Sequence, residues 1–443
     1  MPRFARSRAD TTDEVLNPSP TITKTGAIHY ARTYVPVPLI QPFRALRPAP
    51  GRAADVLAPP YDVLSSAEAR ERAAGKPWSF LHVSKPEIDL GSDIDPYAPE
   101  VYARAAGNLE RMIAEGILVR DDAPLYYVYR LTWQGHVQTG LAAVASLADY
   151  ATNRIRKHEL TTPAKEDDRV RQIEAVGVQT GPVMLAYPAA PQVDAMLAAA
   201  AEGDPVIDVT WPDGVTHQLW VVDSEETIAA VTAAFDAMPA LYIADGHHRS
   251  AAAARVAEAR GDREGPNAAF LTVTFPDHEM TILAYNRVIA DLNGRSAEDF
   301  LSELRKRLAV EPSDTPVEPD AANVFGMVLD GAWYRLTLPA GRIPAADPIG
   351  RLPITLLTRN VIEPLFAITD PRTDKRIDFV GGGRGLRELE KRVASDDWAV
   401  AFALYPTSMA DLMAVADADG IMPPKSTWFE PKLADGVVSH VLD

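Results

Sequence analysis

Apolar residues fall along this chain in two kinds of run: short β-branched or aromatic stretches bounded by glycine and proline, and longer alanine-rich stretches at helical spacing. Leu125 to Leu131 and Gly140 to Leu147 are of the first kind and predict the strands of a hairpin. Pro182 to Tyr187, Ala240 to Ile243 and Ala268 to Phe275 predict three more strands. Helices are predicted over Ser65–Ala74, over Pro99–Glu115 with Gly116 as its stop, over Lys165–Val176 ahead of Gly177, over Glu225–Met238, and from Ser250 to Gly261. Prolines in Pro42–Pro48 and Ala58–Val63 argue for fixed loops. The expected fold is α/β (α+β). A flexible extension spans 1–33, an N-terminal lobe 34–148, a core 149–290 with an insertion near 189–234, and a C-terminal α/β lobe 291–443.

Composition narrows the function. A chain of 443 residues exceeds one ordinary core, and 47% apolar with 24% charged residues is the balance of a globular protein. Lys and Arg number 44 against 61 Asp and Glu, a net charge of −17 that opposes general attraction to nucleic acid, though one basic pocket could still hold a nucleotide. The absence of cysteine excludes disulfides, thiolate zinc sites and cysteine nucleophiles, and fits a reducing cytoplasm. The first residues lack a signal-like apolar core, and no run of about 18 apolar residues follows, so no membrane association is expected.

The strand ending at Ile243 meets the alanine-rich helix through Ala244-Asp245-Gly246-His247-His248-Arg249. A helix start presents unpaired N–H groups and the positive end of its dipole to an anion. Gly246 allows close backbone approach, Arg249 offers a forked contact to phosphate, and His247 and His248 add donors or proton-transfer groups. The bland alternative is an Asp-Gly turn in which Asp245 only caps the helix. A metal is not expected, since no H-x-x-x-H, H-E-x-x-H or cysteine spacing occurs. Upstream, Ile155 to Pro163 is dense in residues of catalytic type, among them Lys157, His158 and Glu159. Glu159 reads equally well as a surface carboxylate paired with Lys157 or Lys165. Two further segments compete for function. Val380-Gly381-Gly382-Gly383-Arg384-Gly385 precedes a helix but fits neither the P-loop nor the dinucleotide fingerprint, and reads better as a simple turn. Met422 to Lys432 is either a packed tail anchored by Trp428 and Phe429 or a loop that carries Lys425 to a site.

The polar loop with Glu159, a helix, Gly177, a strand, then strand, Gly246-His247-His248-Arg249 and helix resemble the core of the ParB/sulfiredoxin-like fold, whose box is Gly-Glu-Arg-Arg or Gly-Cys-His-Arg. More of the chain resembles the prokaryotic family DUF1015, through Pro-Phe-x-Ala-x-Arg-Pro from Pro42, Pro-Pro-Tyr-Asp-Val from Pro59, the His158-Glu159 loop, the Asp245–Arg249 box and Met-Pro-Pro-Lys-Ser-Thr from Met422. Some ParB-like proteins are nucleotide-dependent kinases of free serine that use a glutamate of the first polar loop as base. The resemblance implies Glu159 as base, with His158 and His247 as further catalytic candidates. It also implies that Asp245 to Ser250 hold the phosphates of ATP, ADP or CTP, bridged by Mg2+, and that Lys157, Lys165 or Arg249 neutralise developing charge. A nucleotide-gated regulator is the alternative. Sulfinic acid repair is excluded, because the chain has no cysteine.

Overall fold

The hairpin expected at Leu125–Leu147 is the centre of the largest sheet. The computed structural model describes residues 37–261, 265–395 and 397–443, and a strand pair, Thr21–Ile22 with Ile28–His29. The extension expected over 1–33 lies largely outside the described residues. The large sheet holds β1 (Ile40–Gln41), β2 (Tyr126–Trp133), β3 (His136–Ser146), β4 (Ile155–Arg156), β5 (Val183–Tyr187), β6 (Ile207–Thr210), β7 (Thr216–Val222), β8 (Leu241–Asp245) and β9 (Ala269–Pro276). They lie in the order β6-β7-β2-β3-β9-β5-β8-β4, with β1 beside β3. The fold is thus a mixed α/β one, as expected.

The central strands β3, β5, β8 and β9 are buried on both faces because both are covered. Tyr127, Tyr129 and Leu131 enter one core while Tyr126 and Val128 enter the other, as the two-residue period of a strand requires. Helices Pro191–Ala200 and Glu225–Asp236 cover the second face through Val193, Leu197, Val231 and Phe235. Burying a side chain such as Phe235 contributes about 1.5–3 kcal/mol. The segment 189–234 therefore extends the sheet by β6 and β7 and supplies its cover.

A six-stranded antiparallel sheet, running from Ala309–Ser313 at one edge to Ile377–Gly381 at the other, forms most of the C-terminal region. The chain then returns. Trp428–Glu430 pairs with Thr281–Leu283, and Ser439–Val441 lies between Ala45–Pro48 and Val178–Gln179. Among the described residues no helix is long and apolar enough to cross a membrane.

One pairing positions everything that follows. β8 and β4 run parallel, with Leu241 opposite Ile155 and Tyr242 opposite Arg156. Parallel neighbours end at the same edge, so the loop after Arg156 and the turn after Asp245 emerge side by side despite their separation in sequence. Each leads into a helix, α1 (Pro163–Val176) and α2 (His247–Arg260), and these pack together through Ile173, Ala252 and Val256. Helix α1 begins two residues before the expected Lys165, since Pro163 suits the first helical position.

Candidate functional site

Helix α2 also starts earlier than expected. Gly246 takes φ +102, a left-handed conformation that ends β8 and starts the helix at once, so His247, His248 and Arg249 form its first turn. The first i→i+4 bond of the helix is donated by Ser250 N–H to Gly246 O, at 3.0 Å. The N–H groups of His247 and His248 precede that bond and point out of the helix start. They open into a cleft of about 210 Å3, lined by this turn, by Tyr61 and Asp62, by His158, Glu159 and Lys165, by Tyr285, and by Met422, Lys425, Trp428 and Lys432.

The loop is tied to the box at several points. His158 N–H approaches His247 Nε2 at 3.4 Å, the two rings meet edge to face at 4.5 Å, and Thr162 N–H donates to His248 Nε2 at 3.1 Å. The tail is tied in as well, because Met422 N–H donates to His158 O at 2.8 Å. Arg287, only 1% exposed, donates to the carbonyls of Pro424 and Lys425 and so holds the segment that carries Lys425. Phe429 is buried, so the tail is both packed and part of the cleft wall.

Four cations, Lys165, Arg249, Lys425 and Lys432, face three carboxylates, Asp62, Glu159 and Asp245, around the cleft. Asp245 lies 3.4 Å from Lys432 Nζ and 3.5 Å from Arg249. Burial alone would raise its carboxyl, but Lys432 and Arg249 hold it well below the usual carboxylate range. Arg249 also reaches Asp62 at 4.0 Å and donates to Pro182 O, so its charge is largely committed to this network. Asp435, 2% exposed, accepts from Tyr61 N–H at 3.1 Å, and burial pushes it up to about 7 against the pull of Arg249. Burial likewise lowers His158 to about 4 and depresses His247 strongly, which leaves both imidazoles neutral at pH 7. Glu159, with 42% of its side chain exposed, is raised by burial while Lys425 and Lys165 pull it down.

The fold thus brings Glu159, His158, His247, Asp245, Gly246, His248, Arg249, Lys165 and Lys425 to one cleft. Two residues stand apart. Ser250 is fully buried and its Oγ donates back to His247 O at 3.0 Å, so it faces the helix rather than the cleft. Lys157 sits in an adjoining hollow with Tyr150, Asn153 and Asp419, its Nζ 3.3 Å from Tyr150 O and 3.9 Å from the Tyr150 ring centre. Sequence reasoning missed Asp62, Lys432, Tyr285 and Asp435. The Pro59–Val63 motif and the paired charges of the tail were signals for two of them, Asp62 and Lys432, but neither said where its side chains go.

Fold and site together define a mixed α/β protein with a basic cleft at the parallel edge of its main sheet. The chain belongs to the family described as "Protein of unknown function (DUF1015)", whose sequence model matches residues 40–355. No curated protein matches it. Among solved structures it is similar to SbnI with C-terminal truncation from Staphylococcus aureus, at 13% identity and a TM-score of 0.35 over 66% of this chain and 85% of that one. It is also similar to a conserved hypothetical protein from Pyrococcus furiosus, at 13% identity and 0.31 over 65% and 91%. A free serine kinase in complex with AMP matches at 12% identity and 0.30 over 62% and 84%. Overlaps this loose bear on neither the activity nor the ligands of this chain.

Proposed function

We propose that the cleft binds a nucleotide through its phosphates and transfers the terminal phosphoryl group to a small hydroxyl compound, free serine being the favoured acceptor. The observation that carries this reading is that Glu159, Lys165 and Lys425 line the same cleft as the start of α2, with Glu159 Oε2 3.9 Å from His247 Nδ1. Phosphoryl transfer asks for little covalent chemistry from a protein and much positioning and charge neutralisation. The free N–H groups of α2, its dipole, His248 and the two lysines supply the second. Arg249 and Lys432 act one step back, by fixing Asp245 and with it the turn.

In the step itself the acceptor hydroxyl oxygen bonds to the terminal phosphorus while the bridging P–O bond breaks and leaves with the shortened nucleotide. The hydroxyl proton passes to the Glu159 carboxylate. A carboxyl raised by burial is a better base near neutral pH than a free one. Magnesium is the expected companion of the phosphates, whose oxygens are the hard donors it prefers.

Glu159→Gln tests this. It keeps the side-chain shape, so nucleotide binding is expected to survive while phosphate transfer to a small acceptor falls by about 10²–10⁴-fold. Undiminished transfer would refute the role of Glu159. Nucleotide binding by the parent without transfer to any hydroxyl acceptor would favour a ParB-like nucleotide-binding regulator instead.

A further inference from the structure

We propose that His158, Glu159 and His247 form a site for one divalent transition-metal ion, of the zinc(II) or iron(II) class, with its open coordination positions facing the cleft. Each of the three offers one ligand atom, and these atoms lie within 4.8 Å of one another. Ligand atoms around one such ion stand closer together than this, so binding asks only for a small contraction by side-chain rotation, most of it from the half-exposed Glu159. Two imidazoles and one carboxylate make up the facial donor set that selects transition ions, whereas magnesium and calcium prefer oxygen donors throughout.

An independent observation supports the site. His158 is 2% exposed, yet its Nδ1 has no hydrogen-bond partner among the described residues. Its ring does interact with the Ile243 carbonyl, and with Nδ1 unpartnered that contact falls to Nε2–H. A ring held in this way keeps a lone pair on Nδ1, the arrangement by which backbone carbonyls orient metal-ligating histidines. A buried nitrogen lone pair without a partner is costly, and an ion removes the cost. His247 Nδ1 lies 3.9 Å from Glu159 Oε2, a gap too wide for a hydrogen bond between them, and an ion bound through Nδ1 places the ring proton on Nε2, giving up only the long 3.4 Å contact with His158 N–H.

Linear spacing could not reveal this site, because one half comes from the loop after β4 and the other from the first turn of α2. Its role rests on the phosphotransfer reading: an ion there would lower the pKa of an acceptor hydroxyl or water bound in an open position, and the Glu159 oxygen not bound to the ion would take the proton. Its existence does not rest on that reading.

Cobalt(II), added to the chelator-treated full chain without nucleotide, tests the site by visible absorption. The expected result is a d–d band that saturates at one equivalent. Glu159→Ala and His247→Asn should weaken binding by more than the roughly 10–100-fold that loss of an outer partner causes. Asp62→Ala, on the cleft wall but outside the triad, should leave the band unchanged. No saturable band in the parent, or binding that survives Glu159→Ala but not Asp62→Ala, would overturn the proposal. Nucleotide response, followed separately by thermal shift, shows whether Glu159→Ala is folded and whether the phosphate reading stands on its own.

Discussion

Two glycine-bearing turns between a strand and a helix, at Gly246 and at Gly381–Gly385, are built to opposite ends. At Gly381 an added Cβ would lie 2.8 Å from the Trp428 ring, and at Gly382 2.6 Å from the Ala284 carbonyl. Gly381 leaves room for the tail and Gly382 for the backbone at Leu283–Ala284. At Gly246 an added Cβ would lie 3.1 Å from the Arg249 guanidinium, and the space beyond is the cleft. The richer glycine run is thus a packing surface, and the single glycine is the one that opens a helix start to solvent. What separates them is not glycine content but what occupies the space in front: an aromatic ring in one case, cations and free N–H groups in the other.

The largest effect that could break this contrast is on the ion network. Arg249→Gln removes a guanidinium only 11% exposed that reaches Asp245, Asp62 and Pro182 O, and losing one member of such a buried network costs about 3–5 kcal/mol. Gly381→Ala should cost less, about 1–3 kcal/mol as overpacking against Trp428, and should leave any nucleotide response intact. Denaturant midpoints of the two variants check both. A Gly381→Ala protein that folds normally but ignores nucleotides would break the contrast.

A smaller effect sharpens it from below. The Asp435 carboxyl stands at about 7 in the fold, against about 3.9 in an unfolded chain. A group raised in this way gives stability that is fully present below about pH 4 and lost as pH rises through 7. Asp435→Asn keeps an acceptor for Tyr61 N–H without that loss. The variant should therefore gain on the parent between pH 5 and pH 8, seen as a widening difference in melting temperature. A difference that does not change with pH would contradict the burial of this carboxyl beneath the box.

Much of the box was legible because it is local. A strand of Leu241–Asp245, a glycine and an alanine-rich helix announce themselves within twenty or so residues. The start of α2 was misplaced because His-His-Arg has weaker helix propensity than the alanines after it, while the left-handed Gly246 decides the boundary. Ser250 looked like part of the box by adjacency, but helical rotation turns it inward. Glu159 and Lys165 were placed by resemblance, and the parallel pairing of β8 with β4 is the physical reason they arrive. Lys432, Asp62, Tyr285 and Asp435 were not legible. The first three reach the cleft, and Asp435 the layer beneath it, through long-range pairings, such as Trp428–Glu430 on Thr281–Leu283 and Ala58 with Asp435, that no periodicity encodes.

The claim on which the rest depends is that this cleft, and not the glycine run, holds phosphates. A thermal-shift measurement with ATP, ADP and CTP in the presence of magnesium tests it on the parent, on Gly381→Ala, and on the double variant Lys165→Ala/Lys425→Ala. At 100 times the dissociation constant a nucleotide stabilises by about 2.7 kcal/mol. At least one nucleotide should raise the melting temperature of the parent and of Gly381→Ala by several degrees. In the double variant, with two charge-assisted contacts of about 1.5–3 kcal/mol each removed, that rise should nearly vanish. No response of the parent to any nucleotide, or an equal response in the double variant, would contradict it.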